Sequence, residues 1–482
     1  MVCGATALAA FAMIAGGGSS AWAAAEGGPL AQTCGAIDQR LGAACHGGEQ
    51  LISDASAICR YTGAAPDESC NTPLGPQATR AAVDAFQGSW VDRALRLQYD
   101  LEGDVGFVNA PWVGTHNSFN SVAEMGPTLS DTDANQQLSL VDQLRIDVRS
   151  LELDVHWSPS VASGGANAPV VCHAEGNHAG CSVEKQLGPV LGEIGAWLRR
   201  PENSDQLLLL YLEDHLDSQQ GYDAGAAAID QRLGDLVYRP AGPGCTALPL
   251  DLTRDQVLAA GKQVVIVSGC GVGSAWRGFA FDWSAHRETR PQGYSEYPTC
   301  GRDYDRATYD STLIRYFEDS TGLTAGASLV GASERDDGIT PTTAAQMARC
   351  GVDLLGMDQL LPDDGRLENL VWSWAPGEPS GGSCAVQRVD SQFPYGRWES
   401  RACDERHRPA CRTADGSWLI GASAVPQRAA RYGCRSLGVQ LAVPRTGYEA
   451  QLLRVAMQAA GVSEAWLGYR RESGGWLAQD TR

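Results

Sequence analysis

Six short apolar runs, separated by helical patterns, constrain this chain more than any other feature. They read APWVGTH (110–116), VRSLELDV (148–155), APVVCHA (168–174), QLLLLYLED (206–214), KQVVIVSG (262–269) and VDLLGMDQ (352–359). The clearest helix between them is SVEKQLGPVLGEIGAWLRR. There Leu187, Val190, Leu191, Ile194, Trp197 and Leu198 share one stripe, and Pro201 follows its end. Nearly all-apolar strands alternating with helices belong to a parallel sheet covered on both faces. The fold class expected is therefore α/β. Over residues 102–366 the alternation is long enough for a closed (β/α) TIM-type barrel rather than an open sheet.

Polar residues gather where these runs end: His116 and Asn117, Glu152 and Asp154, His173, Glu213 and Asp214. In a parallel barrel such ends share one rim, where active sites are built. Within RSLELDVHW (149–157), strand alternation sends Leu151, Leu153, Val155 and Trp157 to one face and Glu152, Asp154 and His156 to the other. Burying two carboxylates and an imidazole is costly unless something compensates them. His156 lies beyond the acids, where the strand is expected to end. Asp214 should point away from Glu213. A direct role is expected of neither.

The net charge of −20 argues against nucleic acid as a partner and against bulk attraction to anionic membranes. An acidic protein still acts on phosphate esters when a metal ion supplies local positive charge. Residues 1–24 resemble a signal peptide, with an apolar middle and small residues up to Ala21-Trp22-Ala23, although no Lys or Arg precedes them. Of 15 cysteines, Cys3 falls in that segment; the rest form an even set compatible with disulfides and a secreted or periplasmic location. Cys34, Cys45, Cys59 and Cys70 staple an N-terminal segment, residues 25–101, that continues into helix-like sequence. Cys172 and Cys181 are close enough to close a small loop around His173.

Glu152, Asp154, Glu213 and the Asn117 side-chain carbonyl are hard oxygen ligands, suited to calcium, or alternatively magnesium, rather than zinc. Such an ion offsets repulsion among the acids and binds phosphodiester oxygens. Two histidines on different strands then supply a general base and a general acid. GTHNSFN, SLELDVHW, VVCHAEGNH and LLLYLEDH together resemble, in order and spacing, the catalytic barrel of the phosphatidylinositol-specific phospholipase C family, and most of all its calcium-dependent branch. The resemblance implies that His116 and His173 are the catalytic pair and that Asn117, Glu152, Asp154 and Glu213 hold the metal. It also implies attack of an inositol 2-hydroxyl on phosphorus, releasing diacylglycerol from a phospholipid at a membrane surface. After VVCH the sequence departs from the family pattern. His178 therefore rivals His173 as the acid, and the residues that would read inositol are not identifiable. A glycerophosphodiester or sphingomyelin-type phosphodiesterase would use the same residue types. A catalytically inactive secreted adhesin is the reading from another class.

From about residue 371 the composition shifts to Trp, Gly, Pro and Cys. WSWAPGEPSGGSC with GRWESRAC resembles the second half of a C-type lectin-like domain, and AARYGCRSLGVQLAVPRTGYEAQL with AWLGYR its first half. The resemblance implies Cys384–Cys403 and Cys411–Cys434 bridges in a small α+β domain over 371–482, either circularly permuted or a degenerate half followed by a truncated copy. Glu378-Pro379-Ser380 and Trp398-Glu399-Ser400 stand where sugar-binding relatives carry calcium ligands. The substitutions weaken calcium-dependent glycan binding, and a protein ligand or a structural role is the alternative.

Overall fold

The structure, a computed structural model, describes residues 78–125, 134–173, 181, 184–242, 244–302, 304–319 and 338–479. The expected signal segment, the four N-terminal cysteines and His178 lie outside the described residues.

Nine strands form the first sheet: β1 (Trp112–Thr115), β2 (Ser150–Pro159), β3 (Asn167–Val171), β4 (Leu208–His215), β5 (Val264–Ser268), β6 (Ala280–Asp282), β7 (His286–Glu288), β8 (Leu313–Phe317) and β9 (Leu354–Met357). Eight run parallel in the order β6-β5-β4-β2-β1-β9-β8-β7 and curl into a TIM-like barrel. The edges β6 and β7 are consecutive in the chain and do not pair with each other among the described residues, so the barrel has a seam where full closure was expected.

Five of the six apolar runs become the parallel strands β1, β2, β4, β5 and β9. The run at 168–174 does not. It becomes β3, antiparallel to β2. Only residues 160–166 separate the two strands, and a parallel crossover needs about a dozen or more. Three strands were missed. β6 and β7 are three residues each, and β8 carries Arg315 at its centre, which hides its apolar pattern.

The outward face of β2 packs as its alternation dictates. Leu151, Leu153 and Val155 join the same core as Val190, Leu191 and Ile194 of the helix Leu187–Leu198. Each such side chain, fully buried, contributes roughly 1.5–3 kcal/mol. Inside the barrel, Phe107, Trp112, Leu209, Val265, Val267 and Leu354 fill the lower part. The space is tight: a Cβ on Gly356 would meet the Phe317 ring at 2.0 Å. The helix Trp90–Leu101, capped by the Ser89 hydroxyl accepting from Asp92 N–H, crosses the N-terminal ends of the strands, where the Tyr99 hydroxyl accepts from Leu207 N–H at 2.6 Å.

The second sheet has the order β11-β10-β15-β12-β13, with β14 on β12 and β16 on β15. Its strands are β10 (Cys384–Arg388), β11 (Arg397–Arg401), β12 (Arg408–Arg412), β13 (Trp418–Ile420), β14 (Gln440–Leu441), β15 (Glu464–Glu472) and β16 (Gly475–Ala478). The Cys384–Cys403 and Cys411–Cys434 bridges are formed. In the first sheet's region, Cys172–Cys181, Cys245–Cys270 and Cys300–Cys350 pair as well. The C-terminal region is seated against the barrel. Gln98 Oε1 accepts from Trp372 N–H and the Ser373 hydroxyl, each at 2.9 Å, and Arg445 donates to Leu101 O at 2.9 Å. No helix among the described residues is long and apolar enough to cross a membrane.

Candidate active site

The C-terminal ends of β1, β2, β4 and β9 meet at one mouth. β2 and β4 are paired so that Asp154 stands opposite Glu213 and His156 opposite His215. Glu152, one inward step below, completes a group of three carboxylates whose ligand atoms all lie within 4.8 Å of one another. Burial pushes Glu152 up to about 7, and burial with the neighbouring Glu152 and Glu213 charges raises Asp154 well above its ordinary value. Glu213 is held below its ordinary value, chiefly by the His215 hydrogen bond at 3.1 Å. Among the described residues no arginine or lysine lies within ion-pair distance of the three. Carboxylates crowded in this way have the spacing to hold a metal ion.

β1 ends at Thr115, and the chain turns through Asn117 at φ +41°, a left-handed conformation that asparagine tolerates better than most residues. The turn directs the Asn117 N–H to Glu152 Oε2 at 3.1 Å. With its carboxamide nitrogen toward Asp154, Asn117 donates to Oδ2 and Oδ1 at 2.9 and 3.0 Å. With its oxygen turned there instead, it adds a fourth oxygen to the cluster and its nitrogen faces His116 Nε2 at 3.2 Å.

His116 lies between two sets of acids. Its Nδ1 is 3.2 Å from both Asp358 oxygens, and its Nε2 is 3.8 Å from Glu152 Oε2. Burial alone would lower His116; the Asp358 charge and hydrogen bond, with Glu152 and Asp154 nearby, outweigh it and raise the group to about 10. Asp358 was not singled out in the sequence, although it ends the sixth apolar run just as Glu213 ends the fourth. Its backbone N–H donates to the buried Glu318 at 2.6 Å, and Glu318 in turn pairs with Arg366 at 3.1 Å.

His173 reaches the same mouth from the other direction. β3 descends antiparallel from the tip of the hairpin, and Cys172 N–H donates to Asp154 O at 3.1 Å. The Cys172–Cys181 bridge follows, and His173 Nδ1 lies 3.3 Å from Asn120 Nδ2. The strand β2 continues past the acids to Pro159, further than expected. His156 is therefore inward and buried, with its ring stacked on His215 at 4.5 Å. His215 was missed as well. Asp214 points to the other side, accepting from the Ser268 hydroxyl at 3.3 Å.

Residues 71–364 match the model of the Rv2075c PI-PLC-like domain. The chain belongs to that family. Two relatives in Mycobacterium tuberculosis, "Uncharacterized protein MT2135" of strain CDC 1551 / Oshkosh and "Uncharacterized protein Rv2075c" of strain ATCC 25618 / H37Rv, are each 41% identical over 432 residues, covering 86% of both chains. Among solved structures, the phosphatidylinositol-specific phospholipase C from Listeria monocytogenes aligns with TM-score 0.37 and 15% identity over 56% of this chain and 94% of that one. The calcium-dependent phosphoinositol-specific phospholipase C from Pseudomonas sp. aligns with TM-score 0.29 and 13% identity over 55% and 92%. The barrel of this PI-PLC-like domain is defined by its own strand order rather than by those scores.

Proposed function

We propose that this PI-PLC-like chain is a secreted or periplasmic, metal-dependent phosphoric diester hydrolase of the phospholipase C type, cleaving a phospholipid head group at a membrane surface. The observation that carries this reading is His116, backed by Asp358 on one side and facing the Glu152, Asp154 and Glu213 cluster on the other.

Glu152, Asp154, Glu213 and Asn117 would hold the ion, calcium first and magnesium as the alternative, because all four offer hard oxygen and none offers sulfur. When bound, it supplies positive charge to the phosphoryl oxygens and to the crowded carboxylates. In its neutral form His116 keeps its proton on Nδ1, where Asp358 accepts it, and Nε2 is the base toward a nucleophilic hydroxyl. A cation held by the neighbouring acids would favour that form, because it opposes the Glu152 and Asp154 charges that help hold the imidazolium. In phosphatidylinositol that nucleophile is the inositol 2-hydroxyl. Its oxygen bonds to phosphorus, the phosphorus–oxygen bond to diacylglycerol breaks, and His173 gives a proton to the leaving oxygen. The five disulfides among the described residues support an oxidising compartment.

We read residues 371–482 as a permuted lectin-like module without calcium-dependent sugar binding. Glu378 accepts from Ser400 N–H at 2.9 Å and from the Ser380 hydroxyl at 2.6 Å, and Glu399 pairs with Arg388 at 2.7 Å. The acids at those positions are satisfied within the chain, which supports a protein-binding or structural role.

The test is turnover across a panel of phosphodiester lipids, with EGTA and calcium add-back. A cyclic inositol phosphate that disappears with EGTA and in His116→Ala and His173→Ala supports the reading. Glycerol phosphate release instead points to a glycerophosphodiesterase. Full activity on phosphatidylinositol in both variants would sink the assignment.

A further inference from the structure

His116 is oriented by Asp358, and Asp358 is itself held by a buried ion pair outside the mouth. Glu318 follows the last residue of β8, and alternation turns it away from the inner core on which Phe317 packs. Its Oε2 accepts from Asp358 N–H at 2.6 Å and from Arg366 Nη1 at 3.1 Å, and its Oε1 accepts from Ile339 N–H. Arg366 Nη1 also donates to Asp358 O at 2.8 Å. Asp358 thus has its backbone N–H and its C=O fixed by the two partners of one ion pair. Glu318 and Arg366 are buried, at 1% and 7% exposure.

The residue types follow from what they hold. Three N–H donors converge on the two Glu318 oxygens, so both oxygens must accept. A carboxylate does this, whereas an amide would set its own NH2 against one donor. Arg366 makes five side-chain bonds: to Glu318, to Asp358 O, to Gln359 O at 2.6 Å, and twice to Asp364 Oδ2 at 2.7 and 2.9 Å. A lysine has three donors and no planar fork, and it cannot close the same turn. Gln359, directly after Asp358, stands at φ +48°, in the left-handed region. The chain therefore leaves β9 through a conformation that most side chains avoid, and Arg366 holds two successive carbonyls of that turn.

A buried ion pair is weak support for stability, because desolvation offsets the attraction. What this pair does is local: it fixes the backbone of the residue whose carboxylate oxygens lie 3.2 Å from His116 Nδ1. The carboxylate itself accepts from Asn135 Nδ2 at 3.3 Å and from Gln136 Nε2 at 3.4 Å, long bonds that leave its placement to the backbone. We infer that Glu318 and Arg366 are positioning residues for the reaction, holding Asp358 where it orients the His116 ring and so aiming Nε2 into the mouth. The role is the same whichever charge His116 carries, since Nδ1 bears a proton both in the imidazolium and in the neutral ring that donates to Asp358. It rests on the phosphodiesterase reading above.

The test sets Arg366→Met beside Arg149→Met, in which a buried arginine is lost at the opposite end of the barrel. Both should lower the urea midpoint. Only Arg366→Met should lower kcat of the folded fraction, by ~10-fold or more on phosphatidylinositol with KM nearly unchanged. Proton NMR of His116 Nδ1–H, assigned with His116→Ala, gives a second readout that needs no turnover. The hydrogen-bonded proton should appear in the wild type and in Arg149→Met, and be shifted or lost in Arg366→Met. If Arg366→Met does not fold, Arg366→Lys takes its place, with a kcat loss of about threefold or more. Equal kcat in the two methionine variants, no loss in Arg366→Lys where it stands in, or a His116 signal unmoved by the Arg366 change, would overturn the inference. If the wild type turns over no phosphodiester, the functional reading fails, while the NMR comparison still decides whether the pair holds Asp358 against His116.

Discussion

The two ends of the barrel both bury acid, and they treat it in opposite ways. At the mouth, Glu152 and Asp154 face Glu213, and among the described residues the groups at ion-pair distance are the histidines His116 and His215, with Asn117 beside them. At the floor, where the strands begin, Asp147 pairs with Arg149 at 3.3 Å, Glu102 lies 3.9 Å from Arg254, and Asp353 accepts from Ile314 N–H at 2.7 Å. The guanidiniums there are themselves enclosed. Arg149 donates to Leu144 O and Val148 O, each at 2.8 Å, and lies over the Trp197 ring at 5.1 Å; Arg254 lies over the Tyr99 ring at 3.5 Å. A cavity of about 160 Å³ between barrel and helix is lined by Glu102, Asp147, Asp353 and Arg149. The floor acids have protein partners and close the barrel. The mouth acids have hydrogen bonds from Asn117 and His215 but no arginine or lysine at ion-pair distance among the described residues, and this leaves room for a cation from outside the chain. Buried charge marks a site only where the chain itself does not neutralise it.

Removing charge at each end separates the two cases. The largest effect is expected at the mouth, where Glu152→Gln with Asp154→Asn should cost ~10²-fold or more in turnover. With calcium chelated, the same pair should leave stability unchanged or improved by about 1 kcal/mol, because crowded charge is relieved. Lipid turnover and urea unfolding of the chelated protein measure the two, and a large loss of stability would remove the contrast. Next in size, Arg149→Met at the floor should destabilise the protein by about 3–5 kcal/mol, since Asp147 then stays buried beside an apolar side chain. Urea unfolding reads the loss, and kcat of the folded fraction should not move. The smallest effect concerns pH. Burial, only partly offset by Arg254, raises Glu102 from 4.5 to about 8. Its contribution to stability is fully present below the ordinary carboxylate value and is lost as pH rises through about 8. Glu102→Gln should therefore gain on the wild type between about pH 5 and 8, by at most ~1.4 kcal/mol per pH unit. Parallel stability curves would show that Arg254 neutralises Glu102 fully.

Much of the mouth was legible because strand periodicity is simple. Leu151, Leu153 and Val155 went to the helical layer and Glu152 and Asp154 inward, as alternation required. The same rule applied one run further would have found Asp358, and applied one step further along β4 it would have found His215. The antiparallel β3 was also readable, since the short 160–166 connection cannot carry a crossover. The short strands β6 and β7 were not, because three residues carry no periodic signal.

Local chemistry in the sequence determined which residue types end the strands and which faces they occupy, since period-two alternation and helix stripes act over neighbouring residues. Tertiary structure alone decided who meets whom. The register of β2 on β4 set Asp154 against Glu213, the return of the chain at β9 brought Asp358 to His116, and residues 134–137 carried Asn135 between the two histidines. Those contacts join residues far apart in the chain, and nothing in local propensity encodes a distance between strand ends.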